Sequence, residues 1–378
     1  MPLATGLLVL TGCGNGLGSG TSDKKADGPI VLGMTAPFSG SNAAAGPAMA
    51  DGAKLAISEI NAKGGVLGRK LKLETQDDAC DPKTGVAAAN KLVTDQVAVS
   101  IGGYCSGVTL PMLPIFAKAK VPMIIPAANS NDLVKAGQKN VFLINGTSSQ
   151  QGAAALKWIQ KQSAIKIAIV NDASAYSKDI ADVTQKLVDD TGSAKTVINE
   201  SITPGESDYS ANINSVLNKK PDLVYFTGYY QEGGLIVRQL RQAGFKGQIM
   251  VGDGNVAPEF IKIAGEKYAN GVVATMTLTP DTIPGGSTWV ASFKKKFKSE
   301  PGPYSNQSYD AVRLAAEAIK TAKSTDGDKV ITALEGIDGF KLFSGPLKFT
   351  PDHTLTGGGF QILAAVNGKF ELKDTLTN

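Results

Sequence analysis

Ile60-Asn61-Ala62-Lys63-Gly64-Gly65, Asp77-Asp78-Ala79-Cys80-Asp81-Pro82, Tyr104-Cys105-Ser106 and Pro126-Ala127-Ala128-Asn129 are the stretches whose reading decides the fold. The first lies at the end of a helical stripe, with Ala53, Ile57 and Ile60 on one face of residues 48–61. The other three follow runs that read as strands, at 70–75, 97–102 and 121–125. Upstream, 30–34 reads as a first strand ending in Thr35-Ala36-Pro37-Phe38-Ser39-Gly40; downstream, 141–143 reads as another. Strand alternating with helix implies right-handed crossovers and a parallel sheet covered on both faces.

A second round of the same alternation begins after Gly146. Residues 165–170, 194–200, 223–227, 249–252 and 272–275 read as strands, with Trp158, Leu187, Val216 and Leu240 in the helices between them. Residues 289–297 and 309–322 are helical without strands between. The tail, 358–366 and 369–372, reads as a hairpin turning at Asn367-Gly368. The expected class is α/β, with two doubly wound lobes, each on a parallel-sheet core. At 378 residues the chain has the length for two domains of ordinary size.

Composition removes several function classes. Hydrophobic residues at 42% and charged residues at 19% suit a soluble globular chain, and a net charge of +4 over this length gives no nucleic-acid footprint. The one basic run, Lys294-Lys295-Lys296, has no interleaved aromatics and reads as a solvated helix face. No segment reaches the roughly eighteen apolar residues of a membrane span. The single histidine, His353, sits in a turn-like Thr350-Pro351-Asp352-His353 and is expected at the surface. Without a histidine pair there is no zinc motif, and neither nucleotide-binding glycine pattern occurs. Asp77, Asp78 and Asp81 lack the further ligands of a calcium loop and are expected to form a structural turn. No enzyme activity, cofactor or metal is expected.

The N-terminus carries a different signal. Leu10-Thr11-Gly12-Cys13, after a short apolar run from Leu7, looks like a bacterial lipobox, with Cys13 the site of lipidation. Residues 14–28, rich in Gly, Ser, Lys and Asp, read as a flexible tether. No Lys or Arg precedes the apolar run, although signal peptides begin with a basic region; either the start is truncated or the initiator lies upstream.

The four quoted stretches, in their order and spacing, resemble the first lobe of the periplasmic leucine/isoleucine/valine-binding protein family, solute receptors that feed ABC importers. The resemblance runs from about Pro29 to the C-terminus. It implies three crossings between lobes, near Asn145, Thr277 and Pro351, that together make a hinge. The expected division is 1–28 leader and tether, 29–146 plus 277–352 the first lobe, and 147–276 plus 353–378 the second. A disulfide between Cys80 and Cys105 is implied, each cysteine following a strand expected to neighbour the other's. Carried over by position, Ser106 and the backbone around Ala127 and Asn129 would hold a ligand carboxylate. Asp253 would pair with the ammonium, Tyr176 and Tyr229 would close from the second lobe, and Tyr104 and Tyr304 would line the side-chain pocket.

Each of these residues also has a plainer role: Ser106 could cap the following helix, Asn129 could belong to a turn, and Asp253 between two glycines could be a tight loop. Three positions depart from the family pattern. Asn129 stands where a hydroxyl is usual, Asp253 where the longer Glu is common, and Ala45 where some members place an aromatic. A roomier or repositioned pocket is therefore expected. The implied protein is a monomeric amino-acid receptor, branched-chain ligands first. It would be lipid-anchored in the periplasm or on the outer face of the cytoplasmic membrane and dock on ABC permease subunits. The alternative is a sensor of the same fold for amides, urea-type or other small polar molecules.

Overall fold

The computed structural model describes residues 28–357 and 359–376. Cys13 and the tether through residue 27 lie outside the described residues. β1 (Ile30–Ala36) is buried along nearly its whole length, as a strand must be when helices cover both faces of its sheet. It is followed by α1 (Ala45–Ala62), β2 (Leu71–Asp77), α2 (Pro82–Thr94), β3 (Val99–Ser100), α3 (Ser106–Lys118), β4 (Met123–Ile125), α4 (Asn131–Lys135) and β5 (Val141–Leu143). The five strands are parallel in the order β2-β1-β3-β4-β5.

That order corrects one expectation. The strands preceding Cys80 and Cys105 are not neighbours, because β1 lies between them. The disulfide joins the two cysteines nonetheless, with Cα atoms 5.7 Å apart. Both loops follow the end of β1: Asp78 N–H donates to the Ala36 carbonyl on one side, and Gly103 N–H to the Thr35 carbonyl on the other. Asp81 then caps α2 through the Thr84 N–H, with Pro82 in the first helical position.

The chain crosses at Asn145–Thr147 and opens α5 (Ser148–Lys161), whose start is fixed by a reciprocal cap between Thr147 and Gln150. There follow β6 (Lys166–Asn171), α6 (Ala175–Thr191), β7 (Lys195–Ser201), α7 (Ser210–Asn218), β8 (Leu223–Phe226), α8 (Tyr230–Gln242), β9 (Gln248–Val251), α9 (Pro258–Ala264), α10 (Glu266–Ala269) and β10 (Val273–Thr277). Returning to the first lobe, α11 (Gly286–Phe297), α12 (Ser305–Ala322) and α13 (Gly327–Gly336) precede a small ribbon of β11 (Lys341–Leu342) and β12 (Gly345–Pro346). The sequence pattern anticipated neither α13 nor the ribbon. The lysine run at 294–296 is exposed in the last turn of α11.

β13 (Phe360–Val366) and β14 (Lys369–Asp374) complete a second sheet in the order β14-β13-β10-β9-β8-β6-β7. Its first five strands in chain order are parallel, and the hairpin is antiparallel at the β10 edge. Asn367 and Gly368 both have positive φ, 49° and 80°, which is what a two-residue hairpin turn matching strand twist requires. Leu355 bridges to Phe349, and the His353 ring stacks on Phe142 of β5 at 4.2 Å. His353 is thus a packing residue of the first lobe as well as a turn, not a freely exposed side chain.

One contact outside the sheets positions the cleft. α12 lies so close to α1 that a Cβ at Gly52 would stand 1.9 Å from the Ser305 carbonyl oxygen. Immediately before Ser305, Tyr304 takes a left-handed conformation with φ 59°, an uncommon state for a bulky residue. The close helix pair therefore sets where the Tyr304 ring is delivered. Gly52→Ala should force the helices apart and cost about 1–3 kcal/mol of stability, the usual penalty of overpacking. Chemical denaturation of the variant should show a lower midpoint; an unchanged one would mean that α12 yields freely.

Candidate functional site

The strand ends of both sheets face one cleft, as open α/β sheets dictate for ligand sites. Asp253 opens a short 3-10 turn directly after β9 and is 1% exposed. Its carboxylate accepts from Tyr176 Oη at 2.6 Å and Gln151 Nε2 at 2.8 Å on one oxygen, and from Tyr304 Oη on the other. Tyr176 and Gln151 belong to the second lobe; Tyr304, at the start of α12, belongs to the first. All three donors are neutral. No Lys, Arg or His among the described residues forms an ion pair with Asp253. Burial pushes its pKa up, and the hydrogen bonds from Tyr176, Tyr304 and Gln151 pull the other way.

The tyrosines are held as donors by the same physics. Burial raises the pKa of Tyr176, Tyr304 and Tyr229 well above the ordinary 10, and the negative charge of Asp253 raises each further. Their rings form a continuous wall. Tyr104, after β3, lies 5.7 Å from Tyr304 and 5.8 Å from Tyr229, and Tyr229 lies 4.9 Å from Tyr176. Gly254 packs closely under this wall: a Cβ there would sit 3.0 Å from the Tyr229 ring and 3.1 Å from Tyr176 Oη, so a larger residue would press both tyrosines by a few tenths of an ångström.

On the first-lobe side, Ser106 Oγ accepts from the N–H groups of Asn129 and Ser130, at 3.2 and 3.3 Å. It does not cap its own helix, so the plainer alternative for Ser106 is not what the structure shows. Among the described residues no acceptor is found for its hydroxyl hydrogen. Ser130 rather than Asn129 caps α4. The Ala127 carbonyl accepts from Asn145 Nδ2 at 2.6 Å, which ties this loop to the segment that follows β5.

The eight residues singled out from the sequence are all buried, none more than 8% exposed, and side-chain contacts and hydrogen bonds gather most of them where the strand ends of the two sheets meet. The Asn129 side chain is engaged within the protein: Nδ2 donates to Gln151 Oε1 at 2.8 Å. Gln151 was not foreseen. It connects the two halves of the cleft, since its Nε2 also reaches Asp253 and Thr275. Its position one residue past the Thr147/Gln150 cap was readable; its partners, distant in sequence, were not. Asp172 was missed as well, although it supports Tyr229 by accepting its N–H at 3.3 Å.

A profile of the periplasmic binding protein family matches residues 29–368. A Leu/Ile/Val-binding protein of Rhizobium johnstonii is 36% identical over 350 residues, covering 91% of this chain and 94% of the relative. The chain belongs to the periplasmic binding protein family. A leucine-, isoleucine-, valine-, threonine- and alanine-binding protein of Pseudomonas aeruginosa is 34% identical over 334 residues, 88% of this chain and 89% of its own. Among solved structures, the branched-chain amino acid transporter substrate-binding protein of Streptococcus pneumoniae in complex with isoleucine superposes with a TM-score of 0.83. It is 28% identical, with 91% of this chain and 98% of that one covered.

Like other type I folds of this family, the chain carries two parallel-sheet lobes, and here they are shut against each other. Beyond Asp253, the lobes meet at the rim. Asp179 of α6 accepts from Ser130 Oγ at 3.1 Å and Asn131 N–H at 2.6 Å, and Tyr230 Oη accepts from Ala44 N–H at 3.4 Å. Behind the first-lobe wall, Asp78 is fully buried. Its pKa is raised to about 6, chiefly by burial and also by the charge of Asp77, against a hydrogen bond from Cys80 N–H. A raised carboxyl pKa favours the folded state while the group is protonated, so its contribution is complete below the ordinary 3.8 and lost as pH rises through about 6. Asp78→Asn should remove that loss. The thermal midpoint of the variant should fall less than the parent's across this window; parallel profiles would show that Asp78 is not perturbed.

Proposed function

We propose that this chain is the solute-binding protein of an ABC importer and captures an amino acid, branched-chain or other aliphatic, between its lobes. The observation that carries the reading is Asp253. A buried carboxylate satisfied only by neutral donors, with no protein cation beside it, is a site that an ammonium group completes. The names of the relatives agree, since they bind leucine, isoleucine and valine. In this reading Ser106 receives the ligand carboxylate, beside the Ala127–Asn129 loop whose Asn129 N–H orients the Ser106 Oγ. Asp253 takes the ammonium, Tyr176 and Tyr229 close over the ligand, and Tyr104 and Tyr304 flank its side chain.

The mechanism is hinge closure. A ligand shifts the equilibrium only by the difference between its contacts in the open and closed states, so it must touch both lobes. Residues 29–146 and 277 to about 355 would move as one body, with 147–276 and the C-terminal hairpin as the other. The protein would be a monomer, extracytoplasmic, anchored by lipid at Cys13 and docked on permease subunits. No helix among the described residues is long and apolar enough to cross a membrane. Binding without turnover is the expected activity.

The test is calorimetric titration of the unfolded, stripped and refolded protein with the twenty amino acids, small amides and urea. Aliphatic amino acids should bind, and bound ligand should be recovered unchanged. Truncating one partner of a buried charged contact costs about 2–5 kcal/mol, so Asp253→Ala and Ser106→Ala should each weaken binding at least about tenfold. Binding of amides alone would move the function to a sensor of the same fold. Parent-like affinity in both variants would refute the site.

A further inference from the structure

Asn131 opens α4 on the first lobe, yet its N–H and both ends of its side chain are bonded to the second. The N–H donates to Asp179 Oδ2 of α6 at 2.6 Å, and Nδ2 donates to Asp179 Oδ1 at 3.4 Å. Its Oδ1 accepts from Ser149 Oγ of α5 at 3.0 Å. The direction of this amide is fixed, because a carboxylate only accepts and so requires the NH2 end, which leaves the oxygen for the Ser149 hydroxyl. Ser130 adds a third donor to Asp179: its Oγ gives its one hydrogen to Oδ2 at 3.1 Å while accepting from the Asp132 N–H at 3.2 Å. The first N–H groups of a helix have no partner within it, and here one of them finds its acceptor in the opposite body.

We propose that Asp179 and Asn131 are positioning residues that clasp the closed lobes and set how long a bound ligand stays, whatever its side chain. This rests on the hinge-closure reading above. The bonds run between α4 and α6, so they exist only while the lobes are together and add nothing to the open state, where a ligand first lands. A ligand leaves through opening, so the clasp acts on departure and not on arrival. None of its groups is among those that the amino-acid reading gives to the ligand. Asp179 is half-buried, so dissolved salt reaches it. Its charge also acts across the gap on Lys135 of α4, whose pKa is raised mainly by a hydrogen bond to Asp132 and further by Asp179.

The experiment mixes the stripped protein with L-leucine and with L-valine in a stopped-flow instrument and reads both rate constants. Asp179→Ala removes the carboxylate inside α6, where alanine is the best helix former, so the fold is retained. Dissociation of both ligands should quicken by the same factor, about tenfold, the scale of one hydrogen bond to a charged group. Association should stay as it was. Ser130→Ala should act in the same direction, and the double variant should fall short of the product of the two, because the residues share one bond. Added salt should speed dissociation from the parent and leave Asp179→Ala unmoved, a response that a merely structural role would not give. Unchanged dissociation in Asp179→Ala, a change confined to one ligand, or one that falls on association would overturn the proposal. A parent that binds neither ligand defeats the amino-acid reading by itself. The clasp is then read from exchange of the Asn131 amide hydrogen in the stripped protein: Asp179→Ala should speed it, and equal rates would overturn the proposal.

Discussion

Asp253 is the charge on which the closed molecule depends. Removing a carboxylate from water is costly, and the cost is met here only by donors converging from two bodies: Tyr176 and Gln151 from its own lobe, Tyr304 from the other. Open the cleft, and Tyr304 leaves. The same bond that satisfies the charge therefore joins the lobes. Much of the surrounding architecture serves to deliver these donors: Gly52 lets α12 approach α1 and bring Tyr304 forward, and Gly254 leaves space for Tyr176 and Tyr229. A carboxylate offers about four acceptor sites, so three neutral donors leave room for a fourth, positively charged one.

The remaining contacts between the lobes are of a different kind. Asp179 on the Ser130–Asn131 turn and Tyr230 on Ala44 lie at the rim and are neutral-to-charged or neutral-to-neutral bonds, individually modest. The interior chain from Asp253 through Gln151 to Asn129 is instead fully buried and joins the two lobes from within. The three connecting segments are cross-braced, with Asn145 bound to Ala127, Gln307 to Thr277, and Gln361 to Thr279. The first lobe is further fixed by the Cys80–Cys105 disulfide, which ties the Tyr104-Cys105-Ser106 loop to the loop that follows β2.

Most of this fold was legible because each strand is a short β-rich run bounded by Gly, Pro, Asp or Ser, and periodicity separates such runs from helices. The tail hairpin was readable from Asn367-Gly368 for a conformational reason confirmed by their positive φ. Strand order was not: nothing local in the sequence says that β1 sits between β2 and β3. The small ribbon and α13 carry too few residues or too weak a pattern to stand out. At the candidate site, Ser106, Asn129, Asp253 and the four tyrosines stand out by position in the resembling motifs, and the structure brings them close together. Gln151 escaped because a buried glutamine on a helix has no local signature; it becomes meaningful only through partners 22, 102 and 124 residues away. Asn129 was found, but which of its two polar atoms is free depends on that missed neighbour.

The central claim, that Asp253 couples ligand capture to the joining of the lobes, is tested most directly by small-angle X-ray scattering. The stripped protein and its Asp253→Ala variant would each be measured with and without L-leucine at concentrations saturating for each. The parent should show a smaller radius of gyration with leucine than without it. The variant, loaded at high ligand concentration, should keep the open, larger radius. A variant that compacts as fully as the parent would contradict the account, because closure would then proceed without the charge on which it is said to depend.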